Sequence, residues 1–258
     1  MKRTKTHIDV ATIPPTLHPY LKGAEVYNSN CSETAHTFFI QGKENYYLKV
    51  NRAGSLSRES KMTMFLSSHN LSTNVVAYMS DEKHDYLLTE AIPGEDGISG
   101  EHLSDPKRLA ITFGKSLRTL HSLPVGDCPF TDRTTEMFTD VENNIWKNKF
   151  EYGIVPEGLT EAVSKFTSMK HIIQNDVILH GDYCLPNIIM DHFELTGFID
   201  LGYGGFGDRH YDLFWGTWTL NYNFKTNKYK NLFLDAYGRD VLDLDRLEVS
   251  RIIAGLNF

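Results

Sequence analysis

The stretch His180-Gly181-Asp182-Tyr183-Cys184-Leu185-Pro186-Asn187, followed after a short predicted strand pair by Gly197-Phe198-Ile199-Asp200, decides how this chain is read. It sets a carboxylate on a loop, an amide five residues later and a second carboxylate at the end of a hairpin. A magnesium-phosphate reaction needs those groups. Asp182 can accept a hydrogen bond from an attacking hydroxyl. Asn187 and Asp200 supply hard oxygen ligands for Mg2+, which takes few protein ligands and leaves room for phosphate oxygens.

Around that stretch the predicted elements are short strands at residues 176–180, 188–191 and 194–199 among helices at 134–150, 157–171, 208–222, 227–237 and 243–256. Asp105-Pro106 is a helix start, with Asp as N-cap and Pro in the first turn, and Leu109, Phe113, Leu117 and Leu120 then line one face of a helix that stops before Pro124. The sequence changes character near residue 94. Before it, β-branched and aromatic runs at 35–40 and 45–50 flank a hairpin turn at 41–44, a helix is predicted at 55–69, and two more strands at 74–79 and 85–90. Pro93-Gly94, Gly97 and Gly100 mark 91–100 as a connector. The expected architecture is α+β, with a small antiparallel sheet lobe (1–94, including the hinge) and a larger helical lobe (95–258). A cleft between lobes is a favoured ligand site.

Composition removes several function classes. Acidic residues outnumber basic ones 33 to 26, for a formal charge of -7, and no Lys/Arg stripe is interleaved with aromatics, so nucleic acid is not an expected partner. No apolar run approaches the roughly 20 residues that span a bilayer, and Met-Lys-Arg-Thr-Lys is followed by no hydrophobic segment. The reading is a cytoplasmic chain with no membrane association, a monomer or weak dimer. Cys31, Cys128 and Cys184 are odd in number and outside any C-x-x-C spacing, so neither a disulfide framework nor a structural zinc site is expected.

H-G-D-x-x-x-x-N followed by a strand pair and I-D resembles the catalytic loop and metal-binding segment of the eukaryotic-like kinases, in the version used by small-molecule kinases. His121-Ser122-Leu123-Pro124 with Cys128-Pro129-Phe130, and Gly197 to Gly202 with Asp208-Arg209 and Tyr211-Asp212-Leu213, narrow this to a resemblance to the aminoglycoside 3'-phosphotransferases over nearly the whole chain. The resemblance implies a bilobal protein-kinase-like fold. It also implies transfer of the γ-phosphoryl group of ATP, with GTP as the alternative donor, and Mg2+ as cofactor.

Site roles follow from that resemblance. Asp182 is the expected catalytic base, with Asn187 and Asp200 as metal ligands. Lys49, ending an alternating strand, is expected on the ATP phosphates and paired with Glu59. Tyr47 shares its strand face and is expected to stack on adenine. Ser32 falls on the nucleotide loop near the phosphates, and Glu90 and Ile92 fall where backbone carbonyl and amide would read the adenine edge. His180, Asp208 and Asp212 are read as holding structure rather than doing chemistry, and Cys184, Phe214, Trp215 and Trp218 as loop and core residues.

A cationic acceptor, an aminoglycoside above all, calls for carboxylates around it. Residues 127–162 carry eight acids against three bases, a local charge of -5, in the region of the family's substrate-covering insert. Glu151 and Glu157 are the expected ammonium partners there. The family's paired C-terminal acids are replaced by Ile252-Ile253-Ala254-Gly255-Leu256-Asn257-Phe258, which leaves the terminal carboxylate of Phe258 as the expected substitute, and Tyr203 stands where many members have Arg. Two other readings remain: a kinase of another hydroxylated metabolite such as choline, homoserine or an amino sugar, and a nucleotide-binding pseudokinase.

Overall fold

The structure, a computed structural model, describes residues 3–30 and 35–257. Its strands are β1 (Thr4–Thr6), β2 (Glu25–Asn28), β3 (His36–Gln41), β4 (Asn45–Arg52), β5 (Val75–Ser80), β6 (His84–Glu90), β7 (Glu95–Asp96), β8 (Val177–Leu179), β9 (Ile188–Asp191), β10 (Glu194–Phe198) and β11 (Gly205–Gly207). Its helices are α1 (His18–Leu21), α2 (Ser57–Ser68), α3 (Gly100–Ser104), α4 (Pro106–His121), α5 (Arg133–Trp146), α6 (Leu159–Met169), α7 (Arg209–Phe224), α8 (Lys230–Tyr237) and α9 (Leu244–Leu256).

Two compact units form. The first combines residues up to Ser99 with Pro186–Gly202, and the second combines Gly100–Leu185 with the chain from Tyr203 onward. The mixed α+β class is as expected, with the sheet in the first unit and the long helices in the second. The boundaries differ from a single division at residue 94. Within the expected connector, β7 pairs with β9 through Glu95↔Met190 and Asp96↔Ile189, and this ladder draws the β9–β10 hairpin into the first unit.

The first unit is built on an antiparallel sheet of order β1-β2-β3-β4-β6-β5. Period-2 alternation sorts β4 into two faces. Tyr46, Leu48 and Val50 face a core that includes Leu88 and Tyr86 from β6 and Ile8, Ile13, Leu17 and Leu21 from the N-terminal segment. Tyr47 and Lys49 therefore face the other way. The register sets Tyr47 opposite Phe39 and Thr89, and Lys49 opposite Thr37 and Leu87. The α2 helix buries Met62, Phe65 and Leu66, and its start is held by the buried Asp85, which accepts the Gly54 and Leu56 N–H groups at 3.0 and 2.8 Å.

In the second unit α4 forms as its caps and spacing dictate. Asp105 Oδ1 accepts the Arg108 N–H at 3.1 Å, Pro106 occupies the first turn, and Leu109, Phe113, Leu117 and Leu120 are fully buried. Asp208 caps α7 and Asp243 caps α9 in the same way. The predicted helix at 227–237 divides into a 3-10 turn, Asn227–Tyr229, and α8. The elements β1, β2, β7, β11, α1 and α3 are not among those predicted. The β11 segment, Gly-Phe-Gly, has little strand propensity of its own and is extended because it pairs with β8. No helix among the described residues is long and apolar enough to cross a membrane.

Candidate active site

A pocket in the first unit collects seven of the residues singled out from the sequence: Tyr47, Lys49, Glu59, Glu90, Ile92, Asn187 and Asp200. Strand alternation delivers Tyr47 and Lys49, with Thr37, Leu87 and Thr89 from flanking strands on the same face. The Tyr47 ring packs on Phe39 at 5.1 Å, and its hydroxyl accepts a hydrogen bond from Arg3 at 2.7 Å. The Glu90 carbonyl accepts the Thr73 hydroxyl at 2.6 Å, while the Glu90 N–H donates to the Asn74 carbonyl at 3.1 Å. Ile92 reaches over Gly197, where an added Cβ would lie 2.8 Å from its Cδ1.

Lys49 is the electrostatic centre of this pocket. Its ammonium donates to Glu59 Oε2 at 2.7 Å and to Asp200 Oδ1 at 2.8 Å. Burial works against the lysine's charge, but the carboxylates of Asp200 and Glu59 outweigh it and raise its pKa above the ordinary lysine value. Burial pushes the Glu59 carboxyl up, against the opposing pull of Lys49, because this side chain is almost wholly out of solvent. Asp200 is far more open, with 48% of its side chain exposed.

The β9–β10 register sets Ile188 opposite Phe198, and the ladder continues one step further, the Ile199 N–H donating to the Asn187 carbonyl at 3.0 Å. Asn187 thus lies beside the residue preceding Asp200. Asp200 has φ +58°, a left-handed conformation that non-glycine residues adopt rarely and that is concentrated at functional sites. No group of three or more His, Cys, Asp or Glu side chains among the described residues could hold a metal unaided. An amide and a half-exposed carboxylate still fit Mg2+, which binds through one or two carboxylates and takes its remaining ligands from water and phosphate.

The loop carrying Asp182 belongs to the second unit. It leaves β8 at His180, and three buried contacts fix it. Asp212 accepts the His180 and Gly181 N–H groups at 2.7 and 2.9 Å. His180, itself fully buried, accepts the Asp182 N–H on Nδ1 at 3.3 Å. Tyr183 stacks on Phe113 with ring centroids 4.3 Å apart and donates its hydroxyl to the Phe113 carbonyl at 2.7 Å. Asp212 is held in turn by His121 at 3.1 Å, whose other ring nitrogen meets the Tyr237 hydroxyl at 2.8 Å. Burial lowers the His121 pKa. Burial and the Asp182 carboxylate push the Cys184 thiol well above its usual range. Asp208 and Asp212 thus divide the structural work: one caps α7, the other holds the loop.

The acidic run reads differently once folded. Arg251 takes the Glu157 carboxylate at 2.5 Å, Lys170 takes Glu142 at 3.1 Å, Lys165 takes Glu161 at 3.2 Å, and Arg133 takes Glu136 at 3.2 Å. Three of those bases lie outside residues 127–162, so the local excess of negative charge is largely an internal pairing pattern. Glu151 turns its carboxylate to the Gly153 N–H at 3.0 Å, and its own N–H donates to the Gly255 carbonyl of α9 at 2.8 Å. Ser32 and Phe258 lie outside the described residues. Sequence reasoning missed Arg3, Thr73, Glu95 and Asp96 in the pocket wall. Arg3 carries no signal, because its place depends on β1 pairing with β2, and Glu95 and Asp96 lie in a segment whose Pro and Gly residues read as connector.

The profile of the phosphotransferase enzyme family matches residues 30–249. A probable aminoglycoside 3'-phosphotransferase of Lactococcus lactis subsp. lactis is 41% identical over 246 residues, covering 94% of each chain. An aminoglycoside 3'-phosphotransferase of Niallia circulans is 34% identical over 171 residues, covering 63% of this chain and 64% of that one. Among solved structures, a type VIII aminoglycoside-3'-phosphotransferase superposes with a TM-score of 0.77 at 22% identity, over 94% of this chain and 97% of that one. An aminoglycoside phosphotransferase from Streptomyces rimosus also gives 0.77, at 23% identity over 98% of this chain and all of its own. The family profile spans most of the chain, and a relative above 40% identity spans nearly all of it, so this protein belongs to the aminoglycoside 3'-phosphotransferases of the phosphotransferase enzyme family.

Proposed function

We propose that the chain transfers the γ-phosphoryl group of ATP to a hydroxyl of an aminoglycoside. The observation that carries this reading is the double engagement of Lys49 by Glu59 and Asp200 in a pocket that also holds Tyr47 and Asn187. In this reading the Tyr47 face receives the adenine, and the Glu90–Ile92 backbone reads its edge. Lys49, kept charged by its two carboxylates, neutralises phosphate oxygens. Glu59 keeps the ammonium directed into the pocket instead of into solvent.

Asn187 and Asp200 would hold Mg2+, which when bound shields phosphate charge and orients the transferring group. Asp182 accepts a hydrogen bond from the acceptor hydroxyl and orients it toward the γ-phosphorus. The new O–P bond forms as the bond from the γ-phosphorus to the β-γ bridging oxygen breaks. The hydroxyl proton passes to Asp182 late and leaves to solvent, and ADP carries away the bonding pair. A loose transition state asks little covalent help of the protein, so positioning and charge neutralisation do most of the work. ATP as donor places the reaction in the cytoplasm.

A coupled assay of ADP release, run with kanamycin, neomycin and a panel of choline, homoserine and amino sugars, tests this. Stimulation by an aminoglycoside is the expected result. Turnover confined to a metabolite, or absent with every acceptor, would sink the reading.

A further inference from the structure

We infer that Arg133 is a positioning residue for phosphoryl transfer, its buried guanidinium fixing the Tyr203 carbonyl and, through it, the Gly181–Asp182 turn. The inference rests on Asp182 being the proton acceptor. It starts from an oddity of burial. Asp132 caps α5 by accepting the Thr135 N–H at 3.2 Å, which makes Arg133 the first helical residue, yet the arginine is only 5% exposed. Arginine is seldom buried unless its donors are taken up. Glu136 and Asp140 face its guanidinium at 3.2 and 3.7 Å, but both are open carboxylates, with 40% and 52% of their side chains exposed, and would pair as well with a surface arginine. They do not account for the burial.

The arginine's contacts with Tyr203 do: the guanidinium lies over the Tyr203 ring, 6.0 Å from the centroid, and bonds the backbone of the same residue. Arg133 Nε donates to the Tyr203 carbonyl at 3.1 Å. The β8–β11 register pairs Gly205 with Leu179, Phe206 with Ile178 and Gly207 with Val177, and the same register carried two steps on sets Tyr203 against Gly181. The approach is close enough that a Cβ on Gly181 would lie 2.0 Å from the Tyr203 carbonyl oxygen, and Gly181 has φ +82°, so only glycine fits. Asp182 is the next residue. The chain of contact therefore runs from guanidinium to carbonyl to the turn whose far side is the carboxylate.

Asp212 holds the turn by its N–H groups, and Arg133 holds Tyr203, which packs against Gly181. Loss of the second support lets the turn shift, and a displacement of about 1 Å at a reacting group costs on the order of a hundredfold in rate.

The test is a double-mutant cycle read in steady-state turnover with an aminoglycoside that the wild type phosphorylates. Arg133→Met is expected to lower kcat by about 10- to 100-fold with KM for ATP within about twofold, because the nucleotide pocket belongs to the other unit. In an Asp182→Asn background the same substitution should lower the residual rate by less than about twofold, since the group it positions is gone. Equal losses in the two backgrounds, the outcome of a general structural role, overturn the inference. So does a folded Arg133→Met enzyme at wild-type kcat. If Arg133→Met does not fold, Arg133→Lys decides. Lysine keeps the charge but lacks the planar fork that serves Tyr203 and Glu136 together, so about a tenfold loss in kcat is expected and wild-type kcat overturns the inference. Normal turnover by Asp182→Asn alone overturns the Asp182 reading and this inference together. Loss in Asp182→Asn with full activity in Arg133→Met overturns this inference alone.

Discussion

Lys49 Nζ lies 2.8 Å from Asp200 Oδ1 across 151 residues of sequence, while holding Glu59 at 2.7 Å with the same ammonium. The contact fixes where the carboxylate at the end of the β10 hairpin points, and it ties the strand β4 to the Asn187–Asp200 segment within one unit. Replacing the ammonium removes two charge-assisted hydrogen bonds and leaves the buried Glu59 without its counter-ion.

For Lys49→Met, kcat/KM for ATP is expected to fall by roughly 10- to 150-fold, the equivalent of about 1.5–3 kcal/mol for a hydrogen bond to a charged group. Steady-state kinetics at fixed saturating acceptor measure it. Values within twofold of wild type exclude a role for Lys49 at the phosphates.

Asp182 belongs to the second unit and the pocket around Lys49 to the first. Asp182→Asn should therefore lower kcat by roughly 2 to 4 orders of magnitude, the range for a general base, while nucleotide affinity measured by calorimetry changes little. A parallel loss of nucleotide affinity contradicts that division of labour.

Much of this was legible in the sequence because it rested on local signals. Alternation in β4 put Tyr47 and Lys49 on one face, and the Asp105-Pro106 start with apolar residues at helical spacing gave α4. Asn187 and Asp200, singled out by chemistry and spacing, line one pocket. The parts that were not legible depend on pairing between distant segments. The β7–β9 ladder moved the β9–β10 hairpin into the first unit, and β11 exists only as the partner of β8. A count of charges within one window could not show that Glu157 meets Arg251, 94 residues away.

Gly181 gives a sharp backbone prediction. Gly181→Ala adds a Cβ 2.0 Å from the Tyr203 carbonyl oxygen at φ +82°, where an L-residue already costs roughly 1–2 kcal/mol before the clash is counted. Thermal unfolding should show a lower midpoint, and any folded fraction should have lost most of its turnover. An enzyme with wild-type midpoint and rate would mean that the turn relaxes freely.

His121 sets a pH dependence of stability. Its folded pKa is lowered by burial, so the folded state binds its proton less readily than the unfolded chain, whose histidine titrates near about 6.5. The contribution is fully present above that pH and is lost as pH falls from there toward the folded pKa. Between pH 7.5 and 5.5 the wild type should lose up to about 1.4 kcal/mol more unfolding free energy than His121→Gln, the value for one proton taken up over one pH unit. Urea titrations at the two pH values compare them, and parallel losses would show that His121 titrates normally in the fold.

Glu157 separates the folded reading of the acidic run from the one drawn from composition. Its carboxylate, with 12% of the side chain exposed, is held by Arg251, which also bonds Glu248 and the Ile154 carbonyl. That hydrogen bond draws the Glu157 pKa below its ordinary value, so the pair contributes stability above the unfolded carboxyl range and loses it as pH falls through the folded pKa. Glu157→Gln keeps the shape and removes the charge opposite a guanidinium that is itself partly buried. The expected cost is about 1–3 kcal/mol of unfolding free energy, with acceptor KM within about twofold. If Glu157 instead met an ammonium group of the acceptor, the same substitution would raise acceptor KM by roughly tenfold or more and leave stability nearly unchanged. Denaturation and acceptor titration on one purified variant distinguish the two.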